Sequence, residues 1–277
     1  MTDDHSAVPG EQAEFDDTAA TGIDTTVPHS ARIWNYWLGG KDNYAVDRAA
    51  GDQFSAIYPR IVDIARAARA FLGRVIRYVA GEAGVRQFLD VGTGLPTADN
   101  THEVAQRVAP ESRIVYVDND PLVLAHARAL LTSSPQGATN YVDADMRNPE
   151  TVLREAAKWL DLTQPVALTF MGVLGHIVDY QEARSIVAGL LDGLPPGSYL
   201  SINDSINTSE ALEEALRQYE ASGAVPYRTR SLEQFTGYFD GLELVEPGVV
   251  NMEDWRPDPG SDRGPEIPQV GAVGRKR

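Results

Sequence analysis

From Val85 onward short apolar runs alternate with longer helical stretches, and this alternation constrains the fold more than any other feature of the 277 residues. "RQFLDV" (86–91) precedes a helical stretch from about Thr97 to Val108, and "RIVYVD" (113–118) precedes "PLVLAHARALL". "TNYVDAD" (139–145), "PVALTFM" (165–171) and "GSYLSIND" (197–204) are likewise each followed by residues with helical spacing. Five strand–helix repeats predict a mostly parallel sheet with right-handed crossovers and helices on both faces. "LELVEPGVV" (242–250) and "PQVGAVGRK" (268–276) add a closing antiparallel pair, for seven strands in all. In such sheets ligands bind beyond the carboxyl ends of the strands, where the strand order switches.

Three segments precede or contain this pattern. Residues 1–27 are acidic and poor in apolar side chains, which predicts a disordered tail. Residues 28–84 read as helices: "ARIWNYWLGG" capped by Ser30 and ended by Gly39 and Gly40, then "YAVDRAAGDQFSAIY", then a long amphipathic stretch with Pro59 in its first turn. Residues 85–277 form the α/β domain.

Composition narrows the function classes. No cysteine is present, which excludes disulfides, thiolate metal sites and cysteine nucleophiles, and no metal-ligating pattern stands out. A net charge of −16, from 40 acidic against 24 basic side chains, repels a phosphate backbone and disfavours nucleic acid as a partner. No run of eighteen apolar residues and no basic-then-apolar leader occurs, so a soluble, cytoplasmic protein without membrane contact is expected. Oligomeric state leaves no trace in the sequence.

The first chemical signal is "FLDVGTGLPTADN", where a strand ends in Asp90 and turns through Gly92, Thr93 and Gly94. Glycines there allow a tight turn and a close ligand approach, although a plain strand–helix connection has the same need. The third glycine of a dinucleotide fingerprint would fall at position 97, where Thr97 stands; this disfavours NAD or FAD but not a nucleoside lacking a pyrophosphate. Asp90 is suited to orienting a ligand ammonium group. Asp118, ending the second strand beside Asn119, is placed to accept from two ribose hydroxyls. Asp145, after the third strand, is placed to accept from an adenine amino group with the Met146 backbone alongside. Phe170 and Met171, at the end of the fourth strand, complete the expected contacts.

Residues 85–204 resemble the Rossmann-like S-adenosylmethionine-dependent methyltransferases, through the D-x-G-x-G turn at Asp90, Gly92 and Gly94 and the acids Asp118 and Asp145. "PHSARIWNYWLGGKDNYAVDR" and "FDGLELVEPGVV" are similar to a bacterial family once filed as a domain of unknown function and now called S-adenosyl methyltransferase; this resemblance covers about 28–275. It implies a Rossmann-like methyltransferase fold with S-adenosylmethionine as cofactor, and no particular acceptor. In that class the segment before the first strand commonly folds over the cofactor, so residues 28–48 are expected to form a lid. Arg32 and Lys41 would then meet the methionine carboxylate or an anionic acceptor. Trp34, Tyr36, Trp37 and Tyr44 would wall the sulfonium, unless Trp34, Trp37 and Leu38 simply pack the helix on the sheet.

His176, five residues past Met171, is the expected general base, in a stretch that resembles the "VLHxW" of small-molecule O-methyltransferases except for the interrupting Gly175. Asp204 and Asn207 are rival pocket residues, and His29 and Tyr36 weaker ones. DNA amino methylation goes with an (N/D)-P-P-(Y/F) loop where "FMGV" stands, which leaves a small molecule, ahead of a protein side chain, as the expected acceptor. Competing functions are an aminopropyl transferase, a non-catalytic S-adenosylmethionine-binding regulator and an NAD-dependent oxidoreductase.

Overall fold

The computed structural model describes residues 24–130, 132–261 and 264–277, with backbone only over 126–130. The expected disordered tail falls mainly on residues 1–23, outside the described residues. Its last four residues, 24–27, are held in place: the buried Arg32 guanidinium donates to the carbonyl oxygens of Asp24 and Val27.

The strands form at or within two residues of their sequence-predicted positions. They are β1 Gln87–Val91, β2 Arg113–Asp118, β3 Ala138–Asp143, β4 Ala167–Met171, β5 Tyr199–Ser205, β6 Glu243–Leu244, β7 Val250–Asn251 and β8 Gln269–Arg275. The sheet runs β3-β2-β1-β4-β5-β8-β6, with β7 also paired to β8. β1 to β5 are parallel, and β8 is antiparallel to β5. Apolar runs buried on both faces are what a parallel sheet requires, and β1 is buried at every position. There are eight strands rather than seven because the 242–250 run breaks into β6 and β7. Pro247 supplies no N–H for a ladder, and Gly248 takes φ +84°.

The helices are α1 Ser30–Trp37, α2 Ala45–Ile57, α3 Ile61–Arg77, α4 Thr101–Val108, α5 Pro121–Leu130, α6 Pro149–Ala156, α7 Tyr180–Asp192, α8 Glu210–Ala221 and α9 Leu232–Gly237. Two starts differ from expectation. His29, not Ser30, occupies the cap position of α1, and its N–H donates to Asp47 Oδ1 at 2.9 Å. α4 begins four residues later than Thr97, because Asp99 adopts φ 57° and Asn100 with Glu103 forms a capping box at Thr101.

The sheet separates two apolar cores. One, under α4 and the helices before β1, contains Phe71, Ile76, Phe88 and Trp255; the other lies under α6, α7 and α9 around Leu89, Leu168 and Phe170. The helices of 28–84 therefore share a core with the sheet. Phe71 meets Trp255 edge-on at 5.7 Å, and Arg74 donates to the carbonyl oxygens of Trp255 (2.9 Å) and Met252 (2.6 Å).

Candidate active site

The strand order reverses between β1 and β4, and a cavity of about 430 Å³ opens there at the carboxyl ends of the strands. Asp90, Gly92, Thr93, Gly94, Asp118, Asn119, Asp145, Met146, Met171 and His176 all line it. Residues from four strand ends that are far apart in sequence are thus brought to one space.

The glycine turn is built for a close approach. Gly92 has φ +69° and Gly94 φ +64°, and a Cβ on Gly92 would lie 2.3 Å from the Val173 side chain. Asp118 braces the turn: its Oδ2 accepts from Gly94 N at 2.9 Å and its Oδ1 from Asp120 N at 3.0 Å. Each carboxylate oxygen can accept more than one hydrogen bond, so capacity for ribose hydroxyls remains. Burial raises the Asp118 pKa, against the pull of those backbone bonds. Asp145 is exposed at the cavity rim, and its Oδ1 accepts from Arg147 N at 2.9 Å. Asp90 lines the cavity, but its two oxygens accept from Thr101 Oγ1 (2.6 Å) and Thr169 Oγ1 (2.9 Å), tying β1 to α4 and β4. Burial pushes its pKa up.

α1 supplies one wall through Ala31, Trp34, Asn35, Trp37 and Leu38. Its cap residue is clasped to the loop after Asp118, with His29 Nδ1 3.0 Å from Asp120 Oδ2. Trp34 and Trp37 both pack this helix and face the cavity; their rings meet edge-on at 5.9 Å, and Trp37 lies 5.1 Å from Phe54.

Five expected site residues are placed elsewhere. Arg32 is 3% exposed and pairs with the fully buried Asp47, its Nε 2.9 Å from Asp47 Oδ2. Tyr36 turns outward and donates to Asp52 Oδ1 at 2.6 Å. Lys41 is exposed beyond the end of α1, and Phe170 is sealed inside the second core. Tyr44 stacks under the Arg32 guanidinium, 5.2 Å from its ring centre, rather than facing the cavity. Two arginines line the cavity: Arg147, beside Asp145 at the rim, and Arg69, on α3. Arg69 donates to Ala98 O at 2.7 Å, its Nε is buried without a partner, and no carboxylate pairs with it among the described residues. A charged side chain on the otherwise apolar face of α3, between Ala68 and Leu72, was its one sequence signal.

His176 sits in a single 3-10 turn, Leu174–His176, with Nδ1 3.0 Å from Pro226 O and its ring edge-on to Tyr227 at 5.1 Å. A carbonyl only accepts, so Nδ1 carries the proton and Nε2 presents a lone pair. Burial lowers its pKa, opposed by the Pro226 bond. Gly175 is needed here because the Tyr227 ring packs onto it: a Cβ would lie 2.4 Å from that ring. Asp204, a rival pocket residue, is turned away to accept from the Tyr227 hydroxyl and from Ser205 N; its neighbour Asn203 lines the cavity instead. Among the described residues no group of His, Asp and Glu could hold a metal ion, and no helix is long and apolar enough to cross a membrane.

A doubly wound sheet with a two-glycine turn after β1 and an acid ending β2 is the architecture of the Rossmann-like S-adenosylmethionine-dependent methyltransferases, the class to which this protein belongs. The model of the S-adenosyl methyltransferase family matches residues 16–277, and the chain belongs to that family; S-adenosylmethionine is its cofactor. It is similar to the crystal structure of a DUF574 family protein from Streptomyces avermitilis, at 45% identity over 92% of this chain and 99% of that one, with a TM-score of 0.88. It is also similar to a proposed methyltransferase from Thermobifida fusca, at 39% identity over 92% and 97% of the two chains, with a TM-score of 0.85. A magnesium protoporphyrin IX methyltransferase from Synechocystis, 12% identical over 95% and 97% with a TM-score of 0.53, shares the fold. No curated protein matches the chain.

Proposed function

We propose that the enzyme methylates a hydroxyl group of a small molecule, with His176 as the general base. The observation that carries this proposal is the His176–Pro226 contact, which puts the ring proton on Nδ1 and leaves Nε2 able to accept, on a residue that lines the same cavity as the glycine turn, Asp118 and Asp145. When bound, S-adenosylmethionine supplies an electrophilic methyl group: the acceptor oxygen bonds to its carbon, the carbon–sulfur pair returns to sulfur, and S-adenosylhomocysteine leaves.

The residues present suit that cofactor. Asp118 accepts from the ribose hydroxyls, and Asp145 with the Met146 backbone meets the adenine edge. Arg69, with its orphaned Nε, takes the methionine carboxylate in place of Arg32 and Lys41. His176 Nε2 receives the acceptor's proton, and α1 excludes water over the reacting atoms. The acidic net charge supports a small acceptor over nucleic acid.

Thermal-shift titrations test the cofactor half of this proposal. S-adenosylmethionine and S-adenosylhomocysteine are expected to stabilise the protein, NADH to have no effect, and decarboxylated S-adenosylmethionine to act more weakly because Arg69 loses its partner. A preference for NADH or for the decarboxylated cofactor overturns it.

A further inference from the structure

The cavity has two chemically different halves. Strand order places β2 and β3, with Asp118 and Asp145, on one side of β1, and β4 and β5 on the other. The apolar part of the cavity wall is Trp34 and Trp37 from α1, Phe54 from α2, and Leu212, Leu216 and Tyr219 from α8. None of these carries a charge, and Phe54 meets Trp37 at 5.1 Å and Tyr219 at 5.8 Å, so the rings form one continuous surface.

Polar groups enter this half at the strand ends. Besides His176, Asn203 on β5 is 2% exposed, lines the cavity, and has a buried Oδ1 with no hydrogen-bond partner. It pairs in register with Met171, and its backbone carbonyl accepts from Gly172 N at 3.0 Å, so it stands beside the loop that carries His176. A buried amide oxygen that lines a cavity takes its partner from water or from a bound ligand, so Asn203 offers an acceptor to a ligand that displaces that water.

We infer that the acceptor is an uncharged aromatic molecule bearing a hydroxyl group, its rings held among Trp37, Phe54 and Tyr219 and its polar edge bound by Asn203. An ammonium or carboxylate would lose its hydration in this half without gaining a counter-charge. An aromatic body with one polar handle matches both the wall and the two polar groups. This inference rests on the proposed function, since it uses His176 and the same cavity.

The test titrates the full-length protein, saturated with S-adenosylhomocysteine, with 2-naphthol, 2-naphthoate and spermidine, followed by calorimetry. Expected is binding of 2-naphthol at least about tenfold tighter than of the other two. Asn203→Leu and Leu216→Trp should each weaken 2-naphthol at least about fivefold while S-adenosylhomocysteine affinity stays within about twofold, which also reports that the variants are folded. Preference for spermidine or naphthoate, equal binding of all three, or no binding of 2-naphthol overturns the inference and leaves the cofactor assignment standing. Failure of S-adenosylhomocysteine to bind overturns both.

Discussion

The imidazole of His176 and the carbonyl of Pro226 lie 3.0 Å apart across fifty positions of sequence, and this contact decides which ring nitrogen can act as a base. With the proton fixed on Nδ1, Nε2 is the acceptor. Burial lowers the ring's pKa from its ordinary value of 6.5, so the neutral form persists to lower pH than in a free histidine. Acidification through that lowered value protonates Nε2 and removes the lone pair. In an NMR titration the His176 ring resonances, assigned by their loss in His176→Gln, are expected to titrate below pH 6.5. A midpoint at or above the ordinary value contradicts the buried, carbonyl-anchored base.

Asp204 gives stability a pH dependence. Burial raises its pKa from 3.8 to about 6, against the bonds from Tyr227 and Ser205 that favour the charged form. The folded value lies above the unfolded one, so its contribution to stability is fully present below about 3.8 and lost as pH rises through about 6. Asp204→Asn, neutral throughout, should be more stable than the natural chain near pH 8. The gain is on the order of 1–3 kcal/mol at about 1.4 kcal/mol per pKa unit. It should shrink toward pH 5; urea unfolding at both values checks this, and a variant less stable at pH 8 contradicts it.

Arg32 holds the structure together. Arg32→Met leaves Asp47, fully buried, without its counter-charge, and should destabilise the fold by about 3 kcal/mol in denaturant unfolding. The folded variant is expected to keep its S-adenosylhomocysteine affinity within about threefold.

Arg69 should behave in the opposite way. Arg69→Gln is expected to weaken S-adenosylhomocysteine at least about tenfold, roughly 1.4 kcal/mol, and to leave adenosine, which has no carboxylate, unchanged. Equal losses for the two ligands would remove Arg69 from the carboxylate site.

The contrast between these two arginines shows where the sequence could be read and where it could not. β1, β2 and β3 and the acids at or just after their ends follow from local apolar runs, so the sheet, the glycine turn and the positions of Asp118 and Asp145 were legible. The role of Arg32 depends on Asp47, fifteen positions away on another helix, and no local pattern records that pairing. Arg69 left a trace as a charge on an apolar helix face. Asn203 and Tyr227 left none: one differs from Asp204 only in which way it faces from β5, and the other reaches the site from an irregular loop to pack on Gly175. The late start of α4 turns on the left-handed backbone at Asp99, which composition does not announce.

Asp118 bears the central claim, that the turn at Gly92–Gly94 and the ends of β2 and β3 enclose one adenosine moiety. Calorimetric titration of Asp118→Ala with S-adenosylhomocysteine tests it most directly. Loss of the ribose acceptor is predicted to weaken binding at least about tenfold, or ~1.4 kcal/mol, with the protein still folded. An affinity equal to that of the natural chain would contradict it.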